Sequence, residues 1–287
     1  METQIKKTEE DTIGAMFEVG AHFAYSKARR HPTTSPFIFG AKDKVEIFDL
    51  EKTKKLLDEA VNFMAELAKD GKKVLFVAGK NEARNVVKNS ALSLDMPYVT
   101  GRWIGGTLTN FSQIKKRIAR LEDLTAERES GELAKKYTKR EQVLLGREIE
   151  SLENIFGGLT SMKELPSALF VIDTKREHIA VREAKNKGIP VIALMNSDCD
   201  LESAAYPILA NDASIRSITF FVGILTDTYR KNKGLKKTEG EEGEKREEKT
   251  EEKREEKKSD LSANTQQEAG EKSQKKETKE VPSSEEA

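Results

Sequence analysis

The chain has 287 residues, room for one large or two ordinary domains, and its 50 Lys and Arg balance 50 Asp and Glu. That balance weakens any claim of nucleic-acid binding from net charge; a binder of this composition must gather its cations into patches. One cysteine, Cys199, excludes an internal disulfide, and no leader-like start or bilayer-length apolar run is present, which predicts a soluble, cytoplasmic chain without membrane attachment.

From Asp11, Ile13, Met16 and Phe17 recur at helical spacing, and Gly20 is placed to end that helix. Pro32 and Pro36 predict an extended path through a basic stretch holding Lys27, Arg29, Arg30, Lys42 and Lys44, with Asp43 as its one acid. The apolar runs Phe37 to Phe39 and Val45 to Phe48, separated by GAKDK, read as a hairpin. A helix over about Glu51 to Lys69 carries Leu56, Ala60, Phe63, Met64 and Leu67 on one side and feeds the buried-strand pattern KVLFVAG. After Gly79, Lys80 and Asn81 a second helix runs to Leu92 with Val86 and Val87 inward.

The segment RWIGGTLTN, Arg102 to Asn110, joins a cation and the only tryptophan to a glycine pair, Gly105 and Gly106. Thr109 and Asn110 are placed to cap a helix from Phe111, so the segment reads as a joint offering Arg102 and Trp103 beside a hinge; the alternative is that Trp103 is a core residue. Residues 110–157 form an insertion. Leu121 and Leu124, then Leu144, Leu145, Ile149 and Leu152, predict a narrow apolar stripe between two antiparallel, coiled-coil-like helices that reverse near Ser130 and Gly131. Lys115, Lys116, Arg117 and Arg120 make this arm basic, and Gly157 and Gly158 bracket its far end as a second hinge.

Beyond the arm the alternation resumes: a strand over Ala168 to Ile172, a helix over Arg176 to Lys187, a strand in IPVIAL from Ile189, and a closing helix over about Ser214 to Arg230 with Ile215, Ile218, Phe221, Val222 and Leu225 facing in. Short apolar strands alternating with helices predict an α/β fold on a parallel sheet with both faces covered. The expected organisation is a discontinuous body, 1–109 and 158–230, the insertion 110–157, and a charged tail, 231–287. The tail holds 15 basic and 17 acidic residues but almost nothing aliphatic, which predicts disorder.

An α/β sheet invites an enzyme reading. Gly79 and Lys80 could begin a phosphate-binding turn, yet neither GxGxxG nor GxxxxGK[ST] is present. His22, His31 and His178 lie far apart, no nucleophile elbow accompanies them, and His178 reads as a residue capping or packing the following helix. His22, Asp198, Cys199 and Asp212 match no compact ligand spacing, so no metal, cofactor or catalytic residue is expected. What remains is a body with clustered cations and a basic arm, suited to structured RNA recognised by shape. A helical arm that binds other proteins is the competing reading.

With PFIFGAKDKVEIFDLEKT, RWIGGTLTN, GREIESLENIFGGL and LFVIDTKREHIAVREAKNKGIPVIAL in order, the chain closely resembles the bacterial small-subunit ribosomal protein S2 family from about Ile13 to Tyr229. The resemblance implies a flavodoxin-like sheet with a protruding coiled-coil hairpin, contact with 16S-type ribosomal RNA where the head of the small subunit meets its body, and help in docking ribosomal protein S1. It implies a scaffold among other small-subunit proteins, not a catalyst or a homo-oligomer. Where the family commonly reads HFGHQTRRWNPKM this chain has HFAYSKARRHPTT, with Tyr25 in a histidine position and Thr33 in a lysine position. Asn196 and Ala213 stand at two carboxylate positions, and Lys80 is the one phosphate contact transferable from the family's Thr-Lys-Arg turn.

Overall fold

The computed structural model describes residues 12–233, so the expected tail lies, apart from its first three residues, outside the described residues. Helix α1 covers residues 12–18, and Gly20 follows at φ +72°, a left-handed position that glycine takes without a Cβ penalty. The predicted hairpin forms from β2 (Ile38–Lys42) and β3 (Val45–Phe48), turning through Asp43 and Lys44, both at positive φ as a two-residue primed turn requires. A further strand, β1 (Phe23–Ser26), pairs with β3 and completes an antiparallel sheet of order β1-β3-β2.

The stretch expected to be extended instead folds into two 3-10 turns, Lys27–Arg29 and Pro32–Phe37. Proline fixes only φ, near the value both conformations share. His31 decides between them by accepting the N–H of Thr33 on its ring nitrogen at 3.4 Å and capping the second turn.

The main sheet is parallel, order β5-β4-β6-β7-β8, from β4 (Val74–Val77), β5 (Tyr98–Val99), β6 (Ala168–Ile172), β7 (Val191–Met195) and β8 (Tyr206–Leu209). In chain order this is 2-1-3-4-5, the flavodoxin-like winding, with its switch point between β4 and β6. Every residue of β4, β6 and β7 is buried, and alternate side chains feed opposite faces. Val74, Phe76, Phe170, Ile172, Ile192 and Leu194 pack under α2 (Leu50–Lys69), α3 (Asn81–Ser93) and α8 (Ile215–Asn232). Leu75, Val77, Leu169, Val171 and Ala193 face α7 (His178–Asn186) and the base of the insertion. Two details differ from the sequence reading: Leu57 rather than Leu56 is the fully enclosed leucine of α2, and Ile215, the first residue of α8, is 56% exposed.

Between β5 and β6, residues 110–157 contain three helices where two were expected: α4 (Phe111–Glu129), α5 (Glu132–Lys136) and α6 (Lys139–Phe156). Gly131, at φ +72°, turns the chain into α5, and the Glu141 carboxylate accepts the Thr138 N–H at 2.9 Å to start α6. Leu121, Leu124 and Ile149 are buried as predicted, while Leu144 is 56% exposed. Leu145, Ile149 and Leu152 recur at i, i+4 and i+7; Leu144 lies about 100° round the helix from that stripe. Ile114, Ile118 and Phe156 join the arm's interior to the core beneath the sheet.

Candidate nucleic-acid interface

The carboxyl ends of the strands carry a charge cluster that closes on itself. Lys80, just past β4, is 8% exposed; its Nζ lies 2.8 Å from Asp212 and 3.7 Å from Asp173, at the end of β6. Asn196, past β7, donates to the other Asp212 oxygen at 2.9 Å. Burial works against the Lys80 ammonium, but the charge and hydrogen bond of Asp212 outweigh it and raise its pKa above the usual 10.5. Burial likewise pushes the Asp212 carboxyl up against the pull of Lys80. At 2.8 Å with Asn196 also donating, we take the charged pair as the state at neutral pH.

The segment after β1 plugs this end of the sheet. Tyr25 donates its N–H to Asn196 Oδ1 and Ser197 Oγ, His31 N–H donates to the Ser197 carbonyl, and Thr34 Oγ1 donates to that same carbonyl. The Tyr25 ring sits under the Arg29 guanidinium at 4.2 Å, with Lys80 Nζ 3.4 Å from its hydroxyl.

A second buried carboxylate, Glu183 of α7, organises RWIGGTLTN. It accepts the N–H groups of Gly106 (2.7 Å), Leu108 (2.9 Å) and Thr109 (3.1 Å), the Thr109 hydroxyl and the Trp103 indole N–H. Burial would raise its pKa, but these donors hold the carboxyl below its ordinary 4.5. Trp103 is therefore a core residue at 6% exposure, the inward of the two readings. The expected side-chain cap at Thr109 and Asn110 is absent: Thr109 is occupied by Glu183, and α4 begins on the Asn110 backbone carbonyl. Gly106 stands at φ +94°, and a Cβ at Gly158 would lie 2.2 Å from the Tyr98 carbonyl; Gly105 and Gly157 meet no comparable demand.

The candidate cations divide by what they face. Lys27, Lys42, Lys44, Arg102, Lys115 and Lys116 are exposed and make no ion pair among the described residues; Lys115 lies over the Phe111 ring at 5.1 Å. Arg29 and Lys175 share Asp198, and Arg30 is bound to buried Glu46 at 2.8 Å. Lys80, predicted to meet phosphate, is turned inward onto Asp212. Lys116, Arg117 and Arg120 line an open recess of about 450 Å³ against Ile104 and Gly105, which brings the arm's cations to the glycine pair. Lys42 and Lys44, by contrast, sit at the tip of the β2–β3 hairpin.

The groups considered for chemistry are dispersed. His22 is stacked on Phe17 with Phe23 tilted against it, and its pKa is lowered by burial. His178 opens α7 with Nδ1 3.3 Å from the Lys175 carbonyl, the packing role expected of it. Burial, followed by the charge of Asp173, pushes the Cys199 thiol up to about 12, which keeps it protonated. No group of three potential metal ligands occurs among the described residues, and no helix there is long and apolar enough to cross a membrane.

Sequence reasoning missed Glu183 and Glu46, and it weighed Asp212 only as a metal ligand, not as the partner of Lys80. Each is one carboxylate within a helix, loop or strand, and only its distant partners distinguish it. It also missed a recess of about 260 Å³ at the switch point, lined by Gly79, Arg84, Gly101, Arg102, Trp103, Arg176, Glu177 and Ile179. At its edge burial pushes the Glu177 carboxyl up, against the N–H of Gly79 and the charge of Arg176.

Fold and site together define a flavodoxin-like α/β protein whose Lys80 is locked onto Asp212 inside, with surface cations that make no ion pair among the described residues. Residues 16–234 match the family model described as ribosomal protein S2. The chain is 42% identical over 235 residues to the small ribosomal subunit protein uS2 of a Nitratiruptor species, covering 81% of this chain and 88% of that protein. It is 40% identical to the uS2 protein of Sulfurimonas denitrificans over 78% of this chain and 86% of the relative, and 41% identical to that of Chlorobium phaeovibrioides over 77% and 86%. The chain belongs to the ribosomal protein S2 family.

Proposed function

We propose that this chain is a structural constituent of the small ribosomal subunit, serving translation in the cytoplasm by binding 16S-type ribosomal RNA at the head-body junction and helping to dock ribosomal protein S1. Family membership supports the structural role. The observation that carries RNA binding is the separation of charge: Lys80, Asp212 and Glu46 are paired inside the protein, while Lys27, Lys42, Lys44, Arg102, Lys115 and Lys116 stand exposed and unpaired among the described residues. Such cations meet phosphates at little desolvation cost. In this reading the insertion 110–157 acts as a coiled-coil arm on the body 1–109 and 158–230, with Gly105, Gly106, Gly157 and Gly158 as its joints. The protein works as one copy beside other small-subunit proteins, without a cofactor or a catalytic residue.

The test is co-sedimentation with small subunits in magnesium buffer across a salt series. Replacing Lys27, Lys115 and Lys116 together with alanine should weaken association most at low salt, by roughly 1 kcal/mol or less per exposed contact, and make it less sensitive to salt. Occupancy indistinguishable from the unaltered chain at every salt concentration would remove these residues from the interface. Particles assembled without this chain should also fail to retain S1.

A further inference from the structure

The recess at the switch point gathers three guanidinium side chains from the carboxyl ends of three neighbouring strands. Arg102 follows β5, Arg84 lies in the first turn of the helix after β4, and Arg176 follows β6. All three are exposed, and none makes an ion pair among the described residues. This sets them apart from Arg29, Arg30 and Lys175, whose charges are met by Asp198 and Glu46. The one carboxylate lining the recess, Glu177, is 6% exposed, makes no ion pair among the described residues and is turned onto the backbone, where a Cβ at Gly79 would stand 2.2 Å from its Oε1. Trp103 and Ile179 supply an apolar wall.

We propose that Arg84, Arg102 and Arg176 form a phosphate-binding recess at the switch point of the sheet. Guanidinium groups present planar forks of N–H donors matched to phosphate oxygens, and three of them left without carboxylates have their donors free for such a ligand. The place is the one where sheets of this winding bind ligands. Lys80, the cation that the sequence marks for this task, is held by Asp212 and Asp173, and the three arginines take it over. The phosphate can come from an RNA backbone or from a free phosphorylated molecule. The first source rests on the RNA-binding reading above; the second does not.

The experiment uses the full chain and the combined variant Arg84→Gln, Arg102→Gln, Arg176→Gln, with Arg216→Gln as a control for lost surface charge. Because the three arginines are exposed, the variant should retain the melting temperature of the unaltered chain, and the single variants should each show part of the combined effect. In the first arm, binding to small-subunit ribosomal RNA is measured against salt. Loss of the recess should lower the slope of log affinity against log salt by about 1 to 2, at roughly 0.7 to 0.9 per phosphate contact, while Arg216→Gln keeps the slope higher. In the second arm, inorganic pyrophosphate is titrated while fluorescence of Trp103, the only tryptophan, is followed. A saturable change abolished in the combined variant assigns phosphate to the recess. A response in the first arm identifies a backbone phosphate, and a response in the second alone identifies a free phosphorylated ligand. If the unaltered chain binds pyrophosphate but no RNA, the RNA-binding reading fails and the recess stands. If the combined variant matches the unaltered chain in both arms, the recess is not a phosphate site.

Discussion

Glu183 is a single acceptor for five donors spread over Trp103 to Thr109, so it fixes the loop that carries both Arg102 and the start of the arm. Its folded pKa is depressed, so the stability it contributes is present above the ordinary 4.5 and is lost as pH falls through the folded value. Replacing Glu183 with alanine should cost about 3 to 5 kcal/mol, since several buried donors lose their acceptor. Glu183→Gln should be milder and should abolish the acid-dependent part of the change in Trp103 fluorescence; an unchanged acid profile would sink this account. The residues that make this site are legible in the sequence only on the loop side. RWIGGTLTN stands out by its glycines and tryptophan, whereas Glu183 sits in an ordinary amphipathic helix 77 positions beyond Gly106.

At the scale of elements, period and punctuation predicted most of what forms. Alternation of short apolar runs with helices gave the parallel sheet, and Gly20 ends its helix as expected. Where the reading failed, a local preference was compatible with two conformations. Pro32 and Pro36 suit a 3-10 turn as well as an extended chain, and the cap from His31 settles the matter. In the insertion, the stripe of α6 runs through Leu145, Ile149 and Leu152 rather than Leu144. Leu124→Ala or Ile149→Ala, each removing a side chain with no exposure, should destabilise by about 2 to 5 kcal/mol, whereas Leu144→Ala, at 56% exposure, should change stability by less than about 0.5 kcal/mol. Chemical denaturation of the three variants checks this, and equal midpoints for Leu124→Ala and Leu144→Ala would overturn the placement of the seam.

In the whole molecule, the Lys80 cluster ties the ends of β4, β6 and β7 and the approach to α8 to the antiparallel sheet through Tyr25. Lys80→Met should therefore lower global stability by about 3 to 5 kcal/mol by leaving Asp212 buried without its cation, and adding Asp212→Asn should recover much of that loss. A double variant no more stable than Lys80→Met would show that the pair is not coupled. The raised Lys80 pKa means that its contribution is complete below the ordinary 10.5 and fades as pH climbs through the folded value.

By itself the sequence determined the α/β class, the helices that follow Asn110 and the stretches rich in cations, because periodicity, glycine placement and composition are local properties of the chain. Only the tertiary structure decided which charges are free. Arg30 meets Glu46, Arg29 meets Asp198 and Lys80 meets Asp212, while Arg84, Arg102 and Arg176, far apart in sequence, line one recess. The physical reason is that an ion pair depends on separation in space and on burial, and neither is written in the spacing of residues along the chain.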